Sequence, residues 1–184
     1  MALAEDINQF LDKTDHDVGK HLCSLDVEPG TMEYELLQRR IINGSFAELG
    51  QFPYQAGLLI VVYNSSFQYN LKQCGGSLVT STRVLTAAHC WYDTEYRGEI
   101  LTVVLGSLNM NFGGIRIQSR HVVTHPYWNP HTIQHDIAVI YLPSAVPFSS
   151  TVAPIALPSG SELNEDFTGS MAISSGYGVI LDGM

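Results

Sequence analysis

The chain has 184 residues, of which 45% are hydrophobic and only 15% charged, so it can bury a core and is not disordered by composition. Its formal net charge of −9 leaves no basic surface for a phosphate backbone and argues against nucleic acid as a partner. The longest apolar run, Gly57 to Tyr63, has the length of a strand and falls far short of the roughly 20 residues of a membrane span, which argues against a membrane partner.

The first 40 residues form a segment of distinct character. They carry 9 acidic and 4 basic side chains, lack strand-like alternation and contain the break Pro29-Gly30, so we interpret 1–40 as an acidic extension or pro-segment. Glu5 and Asp6 stand where a secretory signal would place basic and then apolar residues. No export signal is therefore expected in the chain as it stands.

From Gln51 onward the sequence consists of short β-rich runs separated by Gly, Asn, Pro and Ser. Six such runs are predicted as strands: Tyr54 to Tyr63, Gly76 to Thr80, Arg83 to Thr86, Ile100 to Gly106, Ile115 to Val123 and Asp136 to Tyr141. The alternation from Ile115 to Gln118 is typical of a strand with one face in a core. The pattern predicts an antiparallel barrel or sandwich.

Three segments carry the chemistry. The run Leu85-Thr86-Ala87-Ala88-His89-Cys90 is preceded by Cys74-Gly75-Gly76-Ser77-Leu78 and followed by Asp136-Ile137-Ala138-Val139-Ile140. The small alanines before His89 let the backbone turn tightly, so that the imidazole can stand at a barrel edge. Together these segments resemble the trypsin/chymotrypsin-like serine endopeptidase family, and the resemblance extends from about Ile41 to Gly178.

The resemblance implies an all-β fold and a triad of catalytic residues. Residues 41–158 would form the first six-stranded antiparallel β-barrel of the two-barrel chymotrypsin-like fold, and 159–184 would begin the second. His89 would act as general base and then general acid, with Asp136 holding its tautomer and stabilising the imidazolium. The family cleaves protein or peptide substrates without a cofactor or metal and is secreted, so the same is expected here.

Further landmarks of the family are a disulfide and an activation site. The resemblance implies a Cys74–Cys90 bond, which requires an oxidising compartment. Arg40-Ile41 resembles a zymogen site that an activating trypsin-like protease cleaves after Arg40, releasing a new amino terminus at Ile41. Cys23 is expected to stay unpaired, because Ala156 stands at the family's partner position.

The family's nucleophile is absent from the sequence. No serine lies in the Gly-Asp-Ser-Gly-Gly context or in a Gly-x-Ser-x-Gly elbow, and the segments that build the oxyanion hole and the specificity pocket are also missing. The chain is therefore expected to be the N-terminal half of a zymogen, inactive alone and with an exposed apolar face. The alternative is a non-catalytic protease homologue that binds partners through its first barrel.

Other interpretations of individual residues remain open. His89 would otherwise be a structural histidine, and Asp136 a residue that caps the start of a strand. The spacing of His121 with His125, and of His131 with His135, would align two metal ligands on a helix, although Pro126 and Pro130 disfavour a helix there. The tripeptides Asn43-Gly44-Ser45 and Asn64-Ser65-Ser66 match the N-glycosylation pattern, and Asn64 is the better candidate because it lies in a predicted loop.

Overall fold

The computed structural model describes residues 45–178. The predictions for 1–40, for the cleavage site at Arg40 and Ile41, and for Cys23 therefore lie outside the described residues. The described strands form one antiparallel sheet with the order β5-β4-β1-β2-β3-β7-β6. They are β1 (Gln55–Tyr63), β2 (Tyr69–Thr80), β3 (Arg83–Thr86), β4 (Arg97–Leu105), β5 (Ile115–Ser119), β6 (Val122–Thr124) and β7 (Ala138–Tyr141), and the helix α1 (Ala88–Trp91) follows β3.

The sheet curls until its two edges meet. β5 and β6 occupy opposite ends of the strand order, yet only Arg120 and His121 separate them along the chain. The junction is held by Ser119 Oγ, which donates to the carbonyl of Tyr141 at 2.6 Å, and by the Tyr141 N–H, which donates to the carbonyl of His121 at 2.9 Å. The run predicted as a single strand from Ile115 to Val123 thus bends and pairs with a different neighbour in each half. When β5 and β6 are counted as one bent strand, the sheet forms the predicted antiparallel barrel. The prediction of an all-β fold is confirmed.

The core lies inside this curled sheet. Alternate residues of β1 point inward, as the period of a strand requires, and inward residues of the adjacent β4 face them. These inward side chains are Ala56, Leu58, Ile60, Val62, Leu101, Val103 and Leu105, each at most 2% exposed. Burying one such aliphatic side chain contributes about 1.5–3 kcal/mol, so these contacts stabilise the packing of β1 beside β4.

β2 is longer than the sequence predicts. It was expected to start at Gly76 but begins at Tyr69, because residues 69–73 pair with the whole outer half of β1 while remaining largely exposed. Tyr69-Asn70-Leu71-Lys72 does alternate, but its apolar members Tyr69 and Leu71 are 59% and 55% exposed and do not pack in the core. The pair Gly75-Gly76 looks like a turn but lies inside the strand, where a Cβ on Gly76 would come within 2.8 Å of the Leu85 carbonyl oxygen.

Gly98 is expected to be intolerant of any side chain. It lies in β4 beneath the indole of Trp91, and a Cβ at this position would approach Trp91 Cδ2 to 2.6 Å. Gly98→Ala should lower the free energy of unfolding by about 1–3 kcal/mol through overpacking, measured by chemical denaturation. Gly75→Ala is the matched control, since the nearest atom to its Cβ would be 3.5 Å away in ordinary contact. Equal stability losses in the two variants would contradict the overlap with Trp91.

The segment after the barrel crosses its surface without forming a strand within the described residues. It contains a 3₁₀ helix, Gly160–Asn164, and ends against β1 and the end of β4. Ser175 Oγ donates to Gln55 Oε1 at 2.8 Å, and Tyr177 Oη donates to the Ser107 carbonyl at 2.7 Å, while burial raises the pKa of Tyr177. The apolar Met171 and Ile173 are 99% and 79% exposed. The start of a second barrel at 159 stays a prediction.

In the part of the chain that the structure describes, no helix combines the length and the hydrophobicity needed to cross a bilayer.

Candidate active site

His89 stands on a single helical turn at the mouth of the barrel. Ala87 is extended and Ala88 is fully buried, so α1 begins where the chain leaves β3 and only a small side chain fits beneath it. The turn closes with the N–H of Tyr92 donating to the Ala88 carbonyl at 2.9 Å. The His89 side chain remains 48% exposed, so the ring is accessible while its backbone is held.

Asp136 faces His89 because their flanking strands are partners. β3 pairs with β7 so that Thr86 lies opposite Ala138; His89 follows the first of these residues and Asp136 precedes the second. The approach to Asp136 is a tight bend in which His135 adopts a left-handed φ of 57° and accepts a hydrogen bond from the Ile137 N–H at 2.8 Å. A left-handed conformation in a residue other than glycine is held only where its surroundings impose it.

The Asp136 carboxylate accepts two hydrogen bonds from one residue. The His89 backbone N–H donates to Oδ1 at 2.8 Å, and the ring Nδ1 lies 2.7 Å from Oδ2. An ionised carboxylate can only accept, so the proton of this second bond belongs to Nδ1. In the neutral ring the lone pair then lies on Nε2, on the side away from Asp136. The interpretation of Asp136 as a cap for a strand does not describe these contacts.

The exposed nitrogen of His89 is open to a reacting group. Nε2 lies 3.7 Å from Cys90 Sγ, and within residues 45–178 no hydroxyl group hydrogen-bonds to it. The described residues therefore supply a base and the carboxylate that orients it. An arrangement of this kind can take a proton from a nucleophile and return it to a leaving group.

A disulfide joins Cys74 in β2 to Cys90 in α1, with the two Cα atoms 6.1 Å apart. The predicted pairing is thus found in the structure. Because Cys90 follows His89 directly, the bond ties the helical turn to the sheet. Cys74, His89 and Cys90 form the one cluster of three candidate metal ligands among the described residues, but both cysteines are consumed in the disulfide.

Among the described residues, the later histidines do not belong to any group of three candidate metal ligands. His121 stacks on Tyr141 with ring centroids 4.5 Å apart, and His125 stacks on His135 at 4.7 Å. Strand β6 lies between His121 and His125, and the segment from His125 to His135 consists of turns and one isolated bridge, so neither His-x-x-x-His pair lies on a helix.

Lys72 is a residue of the site that the sequence analysis missed. From β2 its Nζ donates to the His89 carbonyl at 2.7 Å and to Asp93 Oδ2 at 2.7 Å. The ammonium therefore satisfies a carbonyl of α1 that is left without a partner at the end of so short a helix. A single lysine in an exposed stretch of strand carries no sequence signal for such a contact.

Asp93 accepts the second hydrogen bond that Lys72 donates. Burial alone would raise the pKa of Asp93, but hydrogen bonds from Lys72 and from the backbone N–H groups of Tyr96 and Glu95, with the charge of Lys72, lower that pKa below its ordinary value. A carboxylate whose pKa is lowered by folding stabilises the protein above its unfolded pKa. That stability is lost as the pH falls through the folded pKa.

Lys72→Met should lower the free energy of unfolding at neutral pH by about 1 kcal/mol, since the ion pair is partly exposed. The loss in free energy of unfolding relative to the wild type should have its full size above pH ~4 and shrink at lower pH, because protonation of Asp93 removes its attraction to Lys72. Urea denaturation across the acid range measures it. Arg120→Met, which removes a looser ion pair of 3.6 Å to Glu99, is the control and should change stability little. A loss that does not vary with pH would contradict the role of Asp93.

Comparison with known proteins matches most of the chain to one family. The protein-family profile described as Trypsin matches residues 41–180. A collagenase of Hypoderma lineatum is 40% identical over 145 residues, covering 79% of this chain and 52% of the relative. Trypsin beta of Drosophila erecta is 33% identical over 142 residues, covering 77% and 51%. A solved structure titled HL collagenase aligns with a TM-score of 0.59 and 39% identity, over 68% of this chain and 50% of the other. The chain thus spans about half the length of these relatives.

Proposed function

This chain belongs to the trypsin family of serine peptidases, and from that premise we propose that the complete protein is an endopeptidase in which His89 and Asp136 are two members of the catalytic triad. The observation that carries the proposal is the double hydrogen bond from His89 to the Asp136 carboxylate. Relatives named collagenase and trypsin support peptide-bond hydrolysis as the reaction.

In this proposal His89 moves a proton twice. Its Nε2 takes the proton of the nucleophilic serine as that oxygen attacks the scissile carbonyl, and then delivers it to the departing amine. Asp136 holds the tautomer in which Nε2 is basic and stabilises the imidazolium formed between the two steps. The serine, the oxyanion hole and the pocket that selects the substrate would come from a second barrel, which we propose to begin at residue 159.

Activation and location follow from the same family assignment. We propose that a trypsin-like protease cleaves after Arg40 and separates the acidic segment 1–40 from the peptidase domain, leaving Ile41 as the new amino terminus. We also propose that the protein is secreted. The Cys74–Cys90 disulfide supports an oxidising compartment, and a relative from Bombus ignitus is named a venom serine protease.

The 184-residue chain alone is proposed to be inactive, because its sequence contains no serine in the Gly-Asp-Ser-Gly-Gly context. A second candidate function is a non-catalytic homologue that binds partners through the first barrel, beside which the apolar Met171 and Ile173 are exposed. The two functions differ in one property: only the peptidase has an activated serine that a fluorophosphonate can phosphonylate.

The test uses the protein encoded by the full transcript, secreted and then treated with trypsin. We expect one serine to be labelled by a fluorophosphonate, and peptide substrates to be cleaved only after hydrolysis at Arg40. His89→Ala should abolish both labelling and cleavage, whereas His131→Ala, a change at an exposed histidine of a neighbouring loop, should preserve them. A full-length protein that is correctly cleaved but takes up no label would favour the binding homologue.

A further inference from the structure

The turn between β1 and β2 has a feature that the proposed peptidase function does not use. It carries the tripeptide Asn64-Ser65-Ser66, which has the Asn-x-Ser pattern of an N-glycosylation acceptor. Both serines are exposed and Asn64 is partly exposed. An acceptor asparagine must lie where an oligosaccharide can project into solvent, and the tip of a hairpin provides such a place.

One of the two N–H groups of the Asn64 side chain makes no hydrogen bond to the described residues. Its Oδ1 accepts from the backbone N–H groups of Ser66 at 3.0 Å and Gln68 at 2.9 Å, and its Nδ2 donates to Gln68 Oε1 at 2.9 Å. These contacts hold the turn through the oxygen and through one of the two amide hydrogens. Replacing the other hydrogen by a sugar leaves all three hydrogen-bonding atoms in the turn.

Aromatic residues flank this asparagine in the chain. Tyr63 and Phe67 lie parallel, with ring centroids 6.4 Å apart and an interplanar angle of 3°, and Tyr69 packs beside Tyr63 at 6.1 Å. Phe67 is 75% exposed and Tyr69 59% exposed. Phe67 also has a left-handed φ of 56°, which is unfavourable for a bulky residue. Clustered exposed apolar side chains mark a surface that another group can cover.

We propose that Asn64 is N-glycosylated and that the first sugar of the oligosaccharide lies over the Phe67 ring. Asn64 Nδ2 attacks the anomeric carbon of a lipid-diphosphate-linked oligosaccharide in the secretory pathway. The N–C bond forms, the bond from that carbon to the diphosphate oxygen breaks, and the lipid diphosphate leaves while Nδ2 loses one proton. The C–H face of the sugar then covers the exposed apolar ring. This modification requires secretion but no catalytic activity.

Secretion of the full-length protein from eukaryotic cells tests the modification. Intact mass should show an oligosaccharide that peptide N-glycosidase removes, leaving an aspartate at position 64 in the peptide map. Ser66→Ala should abolish the modification at Asn64, while Ser65→Ala preserves the acceptor pattern and should leave it in place. A secreted protein with an unmodified Asn64 would overturn the proposal, whether or not Asn43, in the second acceptor tripeptide, carries a sugar.

The contact with the ring has its own test. Enzymatic removal of the oligosaccharide should lower the melting temperature of the wild type by more than it lowers that of Phe67→Ala, because the variant lacks the ring that the sugar covers. Leu71→Ala, which removes another exposed apolar side chain further along β2, should behave as the wild type. The same decrease in wild type and Phe67→Ala would overturn the stacking.

Discussion

Asp136→Asn in the complete protein is expected to lower kcat about 10⁴-fold, the loss known for the equivalent change in the type enzyme of the trypsin family. In this chain the reason lies in the two hydrogen bonds that His89 makes to Asp136. Asparagine can still accept from the His89 backbone N–H through Oδ1. Its Nδ2 would then face the ring as a donor and require Nδ1 to accept, which moves the imidazole proton to Nε2 and removes the base.

The change of tautomer can be measured without catalysis. In ¹⁵N NMR of the 184-residue chain, neutral His89 should be protonated at Nδ1 in the wild type and at Nε2 in Asp136→Asn. Asp166→Asn is the control, because Asp166 accepts only from Thr168 in a distant exposed turn. An Asp136→Asn variant with unchanged kcat and an unchanged tautomer would show that Asp136 does not orient His89.

The sequence predicted the strands that carry apolar side chains into the core. Arg83–Thr86 and the run ending at Tyr63 were predicted within one residue, because each places apolar side chains against the core. Residues 69–73 were not predicted as a strand although Tyr69-Asn70-Leu71-Lys72 alternates, and in the structure they pair along their length yet stay largely exposed. The prediction of a single strand from Ile115 to Val123 missed the bend, because the bend depends on contacts with Tyr141 from a different part of the sequence.

The candidate site was predictable to the extent that short motifs define it. His89, Asp136 and the cysteine pair were identified by their resemblance to motifs of the trypsin/chymotrypsin family. The structure brings His89 and Asp136 together at the ends of β3 and β7 and joins Cys74 to Cys90. Lys72 was not identified, since its partner is a backbone carbonyl, which every residue possesses. The tight bend at His135 was also missed, because the residue with the positive φ is neither a glycine nor an asparagine.

The disulfide is expected to contribute the largest single share of stability near the site. Replacing both Cys74 and Cys90 by alanine should lower the free energy of unfolding by about 3 kcal/mol, the value for a closed loop of this length in the chain-entropy treatment. For a domain of this size that corresponds to a decrease in melting temperature of roughly 10 °C. Calorimetry of the chain measures it, and Cys23→Ala, at a cysteine predicted to be unpaired, should have little effect.

Because Cys90 directly follows His89, removing the disulfide is expected to affect His89 as well as the stability of the barrel. A helix of one turn is not stable by itself, so α1 depends on the disulfide, on Lys72 and on Asp136 for its place at the barrel mouth. Without the disulfide, His89 should sample more orientations. Its ring resonances should broaden, and kcat of the complete protein should fall more than KM rises, because the disulfide positions the base and not the substrate. If the double variant melts lower but keeps sharp His89 resonances and full kcat, the bond stabilises the barrel without positioning the histidine.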